Sequence, residues 1–229
     1  MSRYGLARAV ASQLGALLDA LAADPHAPTT VREPAQAVHT HLADSLVALE
    51  LPDVLTATTI ADLGAGAGFP GLPLAVALPA AEVVLVESVA RKCTFIRAAA
   101  DAAGLTNVEV VVDRAESWSA GAGTRDLVTA RALAPLAVLA EYAAPLLREG
   151  GALVAWKGRR DAEEERDAAA AGEQLGLALE EVRPVHPYPG ADHRHLHVLR
   201  KVAPTPDRFP RRPGMARKRP LGAKNRPAL

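Results

Sequence analysis

Asp62, Gly64 and Gly66 form an Asp-x-Gly-x-Gly run that continues into Gly68, Phe69, Pro70 and Gly71, and no other stretch of this sequence points so directly to chemistry. Glycine permits the positive φ and close backbone approach of a tight turn. A helix opening at Pro70 then offers N–H groups that have no intrahelical partner. Such a turn is a nucleotide cradle. About 20 residues further on, Glu87 ends a second apolar run, Glu82 to Val86, at the spacing where α/β nucleotide folds set a carboxylate against ribose hydroxyls.

Gly66-x-Gly68-x-x-Gly71 also satisfies the dinucleotide fingerprint, so NAD and FAD stand as alternatives to S-adenosylmethionine. Three features favour S-adenosylmethionine: the preceding Asp62-x-Gly64, Pro70 inside the motif, and Asp113-Arg114-Ala115-Glu116 after the third strand, where an acidic or polar pair grips adenine. The methyl acceptor is narrowed by what is missing. Ala130 to Pro135 replaces the Asn/Asp-Pro-Pro-aromatic tetrad used for exocyclic amines. Cys93, mid-helix, reads as buried packing rather than as the nucleophile that pyrimidine carbon 5 requires. An acceptor with its own lone pair remains, and a ring nitrogen fits.

Arg131, just past the fourth strand, and Lys157, ending the fifth, are the catalytic candidates: Arg131 to meet the cofactor carboxylate or the methyl acceptor, with a surface ion pair as the alternative, and Lys157 to meet a phosphate or a base edge. His41 and Asp44 lie one helical turn apart, and either line the pocket or serve as a cap or polar core pair. His186, His193, His195 and His197 have no metal-site pattern, and no metal is expected.

These residues need a scaffold of alternating strands and helices. Predicted strands are Thr59–Leu63, Glu82–Glu87, Val108–Val112, Asp126–Ala130 and Ala152–Lys157, with helices over Gly71–Leu78, Ala90–Ala103 and Leu136–Leu147. Short apolar strands between helices imply a parallel sheet covered on both faces. A helix at Glu163–Leu175 and an antiparallel pair, Glu180–Pro184 and His193–Val202, complete it. The expected fold is α/β: a Rossmann-like S-adenosylmethionine-dependent methyltransferase with a mostly parallel seven-stranded sheet and an antiparallel edge. Residues 1–50 form an N-terminal helical extension, including a second helical stretch His39–Leu49; 51–203 form the domain and 204–229 a basic, proline-rich tail.

A chain of 229 residues suits one such domain. A single cysteine excludes an internal disulfide. Near the N-terminus Leu6, Val10, Leu14, Leu17, Leu18 and Leu21 share a helical face interrupted by Arg8, Gln13 and Asp19, which is an amphipathic helix and not a signal peptide. No apolar run approaches the roughly 20 residues that span a bilayer. A cytoplasmic protein without a membrane partner is expected. The formal charge of zero conceals a segregation: ten of the 26 Lys and Arg residues lie in 200–229 beside one acid, Asp207, so the tail is +9 and the body −9. Without an apolar period, the tail is expected to be extended or disordered when free, and its removal to spare the domain.

The motifs HLADSL (His41–Leu46), DLGAGAGFPGLPLA (Asp62–Ala75), ESVARK (Glu87–Lys92), DRAE (Asp113–Glu116), ARALAPL (Ala130–Leu136) and GALVAWKG (Gly151–Gly158) occur in this order. They resemble those of the 16S rRNA guanine-N7 methyltransferases, also called glucose-inhibited division protein B. TPDRFPRRPGMARKRPL (Thr205–Leu221) is similar to the basic tail of Gram-positive members. The sequence departs from the pattern at Ala27-Pro28-Thr29, where many relatives have Asn-Leu-Thr, and at Ala216, where a proline is usual.

The resemblance implies methyl transfer to N7 of one guanine in the decoding-region loop of 16S rRNA, in the free RNA or the small ribosomal subunit. It implies cofactor contacts at Gly64, Phe69, Ala115, Glu116 and Arg131; the residues themselves add Asp62, Gly66, Gly68 and Glu87. Three Phe, three Tyr and two Trp provide no stacking platform, so RNA affinity falls to phosphate contacts. Arg91, Lys92 and Arg97 are candidates, with Arg208, Arg211, Arg212, Arg217, Lys218, Arg219, Lys224 and Arg226 of the tail. Two alternatives are a methyltransferase for a small molecule or protein, and a non-catalytic RNA-binding assembly factor.

Overall fold

The computed structural model describes residues 2–31 and 33–222; Lys224 and Arg226 lie outside the described residues. Seven strands, β1 (Thr59–Leu63), β2 (Glu82–Glu87), β3 (Val108–Val112), β4 (Arg125–Arg131), β5 (Leu147–Lys157), β6 (Leu177–Val185) and β7 (Arg194–Lys201), form one sheet in the order β3-β2-β1-β4-β5-β7-β6. The first five are parallel, and β7 runs antiparallel to both β5 and β6. The chain winds outward from β1 through β2 to β3, then returns to the other side of β1 with β4 and β5. This reversal leaves a crevice outside the carboxyl ends of β1 and β4, where open α/β sheets bind ligands.

Each face of the sheet buries a cluster of apolar side chains. On one, α1 (Arg8–Ala23) brings Leu14, Leu17 and Leu21 against Phe95, Ile96 and Ala99 of α6 (Ala90–Ala102). Gln13 Nε2 also donates to the Ala103 carbonyl at 3.1 Å. On the other, α7 (Leu136–Ala143) and α8 (Ala162–Leu175) pack Leu136, Leu139, Ala171 and Leu175 against Val128 and Leu153.

Between α1 and β1 the chain winds through α2 (Pro34–Ala37), a π-helical turn (Val38–Ala43), α3 (Asp44–Leu46), a 3₁₀ turn (Val47–Glu50) and α4 (Pro52–Thr56). Glu33 caps α2 by accepting from Ala35 N and Gln36 N at 3.1 and 2.6 Å. π-turns often accompany functional sites, and this one carries His41.

Several boundaries differ from expectation. α7 stops at Ala143 rather than Leu147, since Pro145 has no N–H with which to continue the ladder. β5 begins at Leu147, five residues early, pairing with β4 across an irregularity between Arg125 and Leu127. β6 runs over Leu177–Val185 rather than Glu180–Pro184 because Gly176, at φ +75°, ends α8 and turns straight into it. Pro184 is tolerated because β6 is the sheet edge.

The tail differs most. Residues 204–222 pack on the domain and include α9 (Met215–Lys218). Phe209 and Ala216 are buried in the same cluster as α7. The carboxylate of Glu141 on α7, 1% exposed, accepts from Arg211 N at 3.1 Å, Nε at 2.8 Å and Nη2 at 2.5 Å. Lys201 Nζ is buried, donating to Ala144 O, Leu175 O and Thr205 Oγ1. Composition misled here because the tail has no core of its own. It borrows one from α7 and α8.

Candidate functional site

The turn after β1 is built as its glycines require. Gly64 and Gly66 have φ of +66° and +61°, and Gly64 N donates to the Val86 carbonyl at 2.8 Å, tying the turn to β2. A Cβ on Gly66 would meet nothing nearer than Gly64 O at 3.8 Å, so that position faces open space. Glu87 accepts from Gly66 N at 3.1 Å and Val89 N at 2.9 Å, holding the turn and the start of α6 together, with Lys92 Nζ 3.7 Å away.

Asp62 lies behind the turn. Fully buried, it accepts from Gly71 N at 3.0 Å and Thr129 Oγ1 at 2.8 Å, joining α5 (Gly71–Ala77) to β4. Burial raises its pKa to about 7 against those two hydrogen bonds. Gly68 is also behind the turn, with Leu72 filling the space at its Cα.

Three adjoining cavities run along the carboxyl ends of the strands. One, about 310 Å³, is lined by Asp113, Arg114, Ala115, Glu116 and Tyr142. The next, about 420 Å³, is lined by Gly64, Gly66, Phe69, Glu87, Lys92, Thr29, His41 and Arg131; the two share Gly64, Ser88, Leu133 and Arg217. The third, about 380 Å³, has Thr40, Asp44, Trp156, Lys157 and Arg194, and meets the second at Arg131 and Ala132.

Arg131 therefore stands at a junction. Its Nη1 donates to Asp44 Oδ2 at 2.9 Å and to the Thr40 carbonyl at 2.8 Å, and its guanidinium lies 5.9 Å from the Phe69 ring centroid. His41 stacks on the other part of this wall, 4.6 Å from Phe69 between centroids and 17° from parallel. Its Nε2 lies 3.0 Å from Thr29 Oγ1. Burial first, and Arg131 second, lower the His41 pKa, which leaves the ring neutral at pH 7. Ala132, at φ +54°, is a left-handed residue with a side chain, held at the junction between two cavities.

Of the predicted cofactor residues, the fold brings Gly64, Gly66, Phe69, Glu87, Ala115, Glu116 and Arg131 to the cavity walls, and leaves Asp62 and Gly68 as supports behind them. Lys157 lines the third cavity with its ammonium 2.6 Å from Glu164. Among the proposed RNA contacts, Lys92 lines the second cavity and Arg91 is exposed. Arg212, Lys218 and Arg219 are exposed, whereas Arg211 is committed to Glu141. Arg217 donates to the Leu133 carbonyl at 2.9 Å and lines two cavities, so the tail forms part of the site.

A family model described as rRNA small subunit methyltransferase G matches residues 18–195, most of the chain. The chain belongs to this family. Ribosomal RNA small subunit methyltransferase G of Chloroflexus aggregans is 43% identical over 196 residues, covering 84% of this chain and 82% of that protein. Among solved structures, a predicted O-methyltransferase of Agrobacterium tumefaciens is similar with a TM-score of 0.54 at 28% identity, covering 70% of this chain and 81% of that one. A 16S rRNA (adenine(1408)-N(1))-methyltransferase from Catenulisporales acidiphilia has a TM-score of 0.53 at 19% identity, covering 67% and 89%, and shares the fold.

In this member of the methyltransferase G family, Arg194, Trp156 and Tyr142 are among the lining residues that the sequence did not single out. Arg194 comes from β7, brought beside β5 by the antiparallel return; Trp156 and Tyr142 are otherwise core side chains. Trp156 lies within GALVAWKG, which was its available signal, whereas no local motif marks Arg194 or Tyr142. The DSL after His41 was the available signal for Asp44. Among the described residues no cluster of His, Cys, Asp or Glu could hold a metal ion, and no helix is long and apolar enough to cross a membrane.

Proposed function

We propose that the chain transfers the methyl group of S-adenosylmethionine to N7 of a guanine in the decoding-region loop of 16S rRNA. The observation that carries this reading is the continuous cleft that passes from Asp113–Glu116 through Gly66 and Glu87 to Arg131, and then opens into a further cavity. The residues fit the cofactor. Gly66 leaves room where a side chain would intrude, Glu87 and Glu116 offer carboxylates to hydroxyls and an amine, and Arg131 offers a guanidinium to a carboxylate. When bound, S-adenosylmethionine supplies an electrophilic methyl carbon on a sulfonium.

N7 of guanine carries an in-plane lone pair and no proton, so the chain needs no general base. Its task is alignment. Phe69 and neutral His41 give the junction an apolar, unreactive wall, and Asp44 holds Arg131 against the cavity boundary. N7 faces the major groove, which is deep and narrow in A-form RNA, so the target base has to come from a loop or leave its stack. Mass-spectrometric mapping of N7-methylguanine in 16S rRNA, with and without the gene, tests the proposal. The modification should vanish with the gene and return with purified protein; its persistence overturns the reading.

A further inference from the structure

We propose that the third cavity seats the acceptor guanine and that Asp44 reads its N1–H and N2–H edge, which rests on the guanine-N7 reading above. The Asp44 side chain is 9% exposed. Its Oδ2 is engaged by Arg131, but Oδ1, equally buried, has no hydrogen-bond partner among the described residues. Arg194 Nε lies 3.5 Å from that oxygen and is itself unsatisfied, so the pair attracts without closing a hydrogen bond. A buried carboxylate oxygen without a hydrogen-bond partner is costly. Asp44 lines the third cavity, and a base entering it completes Oδ1 by displacing the Arg194 side chain, 41% exposed, that now covers it. The residue is also firmly placed: Trp156 Nε1 donates to the Asp44 carbonyl at 2.7 Å, tying this turn to β5.

The cavity, about 380 Å³, falls within the range of small-molecule sites. Guanine presents two adjacent donors, N1–H and the N2 amine, to an acceptor such as a carboxylate. Adenine presents a lone pair at N1 instead, which a carboxylate repels, so Asp44 rejects the other purine as well as accepting this one. N7 lies on the far side of the purine. A base gripped at its N1–N2 edge keeps N7 clear of Asp44, and the third cavity meets the second at Arg131 and Ala132.

The charge balance agrees. As the N7 lone pair forms the new C–N bond, the C–S bond breaks with its electrons passing to sulfur. No proton moves, and the purine gains one positive charge. A carboxylate at the opposite edge attracts the base more strongly as that charge develops, and so favours the transition state over the bound ground state.

The test uses 16S rRNA assembled by ligation with either guanosine or inosine at the mapped position, at saturating S-adenosylmethionine, with N7 methylation read by mass spectrometry. Inosine keeps N7, O6 and N1–H and lacks the N2 amine. In the wild type, inosine should lower kcat/KM by about 10- to 100-fold, the loss of one charge-assisted hydrogen bond. In Asp44→Asn and Asp44→Ala the ratio between the two RNAs should fall to about threefold or less. Because each ratio is taken within one variant, any displacement of Arg131 acts on both RNAs alike. A wild-type ratio near one, or an undiminished ratio in both variants, overturns the assignment of Asp44. Absence of N7-methylguanine from wild-type reactions on the guanosine RNA overturns the guanine-N7 reading itself, and the two failures are thereby distinguished.

Discussion

Replacing Arg211 with alanine should destabilise the whole domain, although Arg211 lies in a basic, proline-rich tail that composition alone marks as dispensable. Glu141, its partner, is 1% exposed, and among the described residues all three hydrogen bonds its carboxylate accepts come from Arg211. The substitution keeps the backbone bond and removes both charged ones, which strands a buried charge. Breaking a buried pair in this way costs about 3–5 kcal/mol. For a chain of this size each kcal/mol moves the melting midpoint by about 2–4 °C, so a fall of about 6–20 °C is expected by differential scanning calorimetry. The double variant Arg211→Met with Glu141→Leu should recover most of the loss, since two apolar side chains strand nothing. An RNA-contacting arginine would behave otherwise, leaving the midpoint alone and lowering the salt slope of RNA binding by roughly 0.7–0.9. A midpoint within 2 °C or so of wild type, on that ~2–4 °C scale, would refute the argument that the tail is a structural part of the domain.

Three further outcomes are expected. Gly66→Val should abolish S-adenosylmethionine binding in calorimetric titration while the chain still folds: its Cβ meets no protein atom closer than 3.8 Å, but it projects into the cleft from a φ of +61°. Retained affinity would mean that the cofactor lies elsewhere. Asp62 should make stability fall as pH rises between about 4 and 7. Its folded pKa, about 7, exceeds the ordinary 3.8, so in that window the native state holds more protons than the unfolded one. Denaturant midpoints of the wild type minus those of Asp62→Asn should show this downward slope, and a flat difference would refute it. The triple change of Arg212, Lys218 and Arg219 to Gln, all exposed, should leave the melting midpoint unchanged and reduce the log–log salt slope of 16S rRNA binding by about 2 to 3. An unchanged slope would remove these residues from the RNA-binding surface.

The sequence by itself determined the turn and the sheet that carries it. Asp62, Gly64 and Gly66 specify a backbone geometry that few other residues can adopt, and short apolar strands between helices leave little choice but a parallel sheet. Both signals are local, written within a few residues or one period. Element ends were less legible, because Pro145, without an N–H, stops α7 inside an apolar stretch that continues past it, and Gly176, at φ +75°, turns directly from α8 into β6. Only the tertiary structure decided which charged side chains are committed to one another. Arg211 and Glu141 are 70 residues apart, and Arg131 and Asp44 are 87 apart. Arg194 reaches the third cavity through the antiparallel return of β7. A charge reads the same in sequence whether it faces water, a phosphate or a buried carboxylate. Burial and partner distance separate these roles, and both are properties of the packed chain.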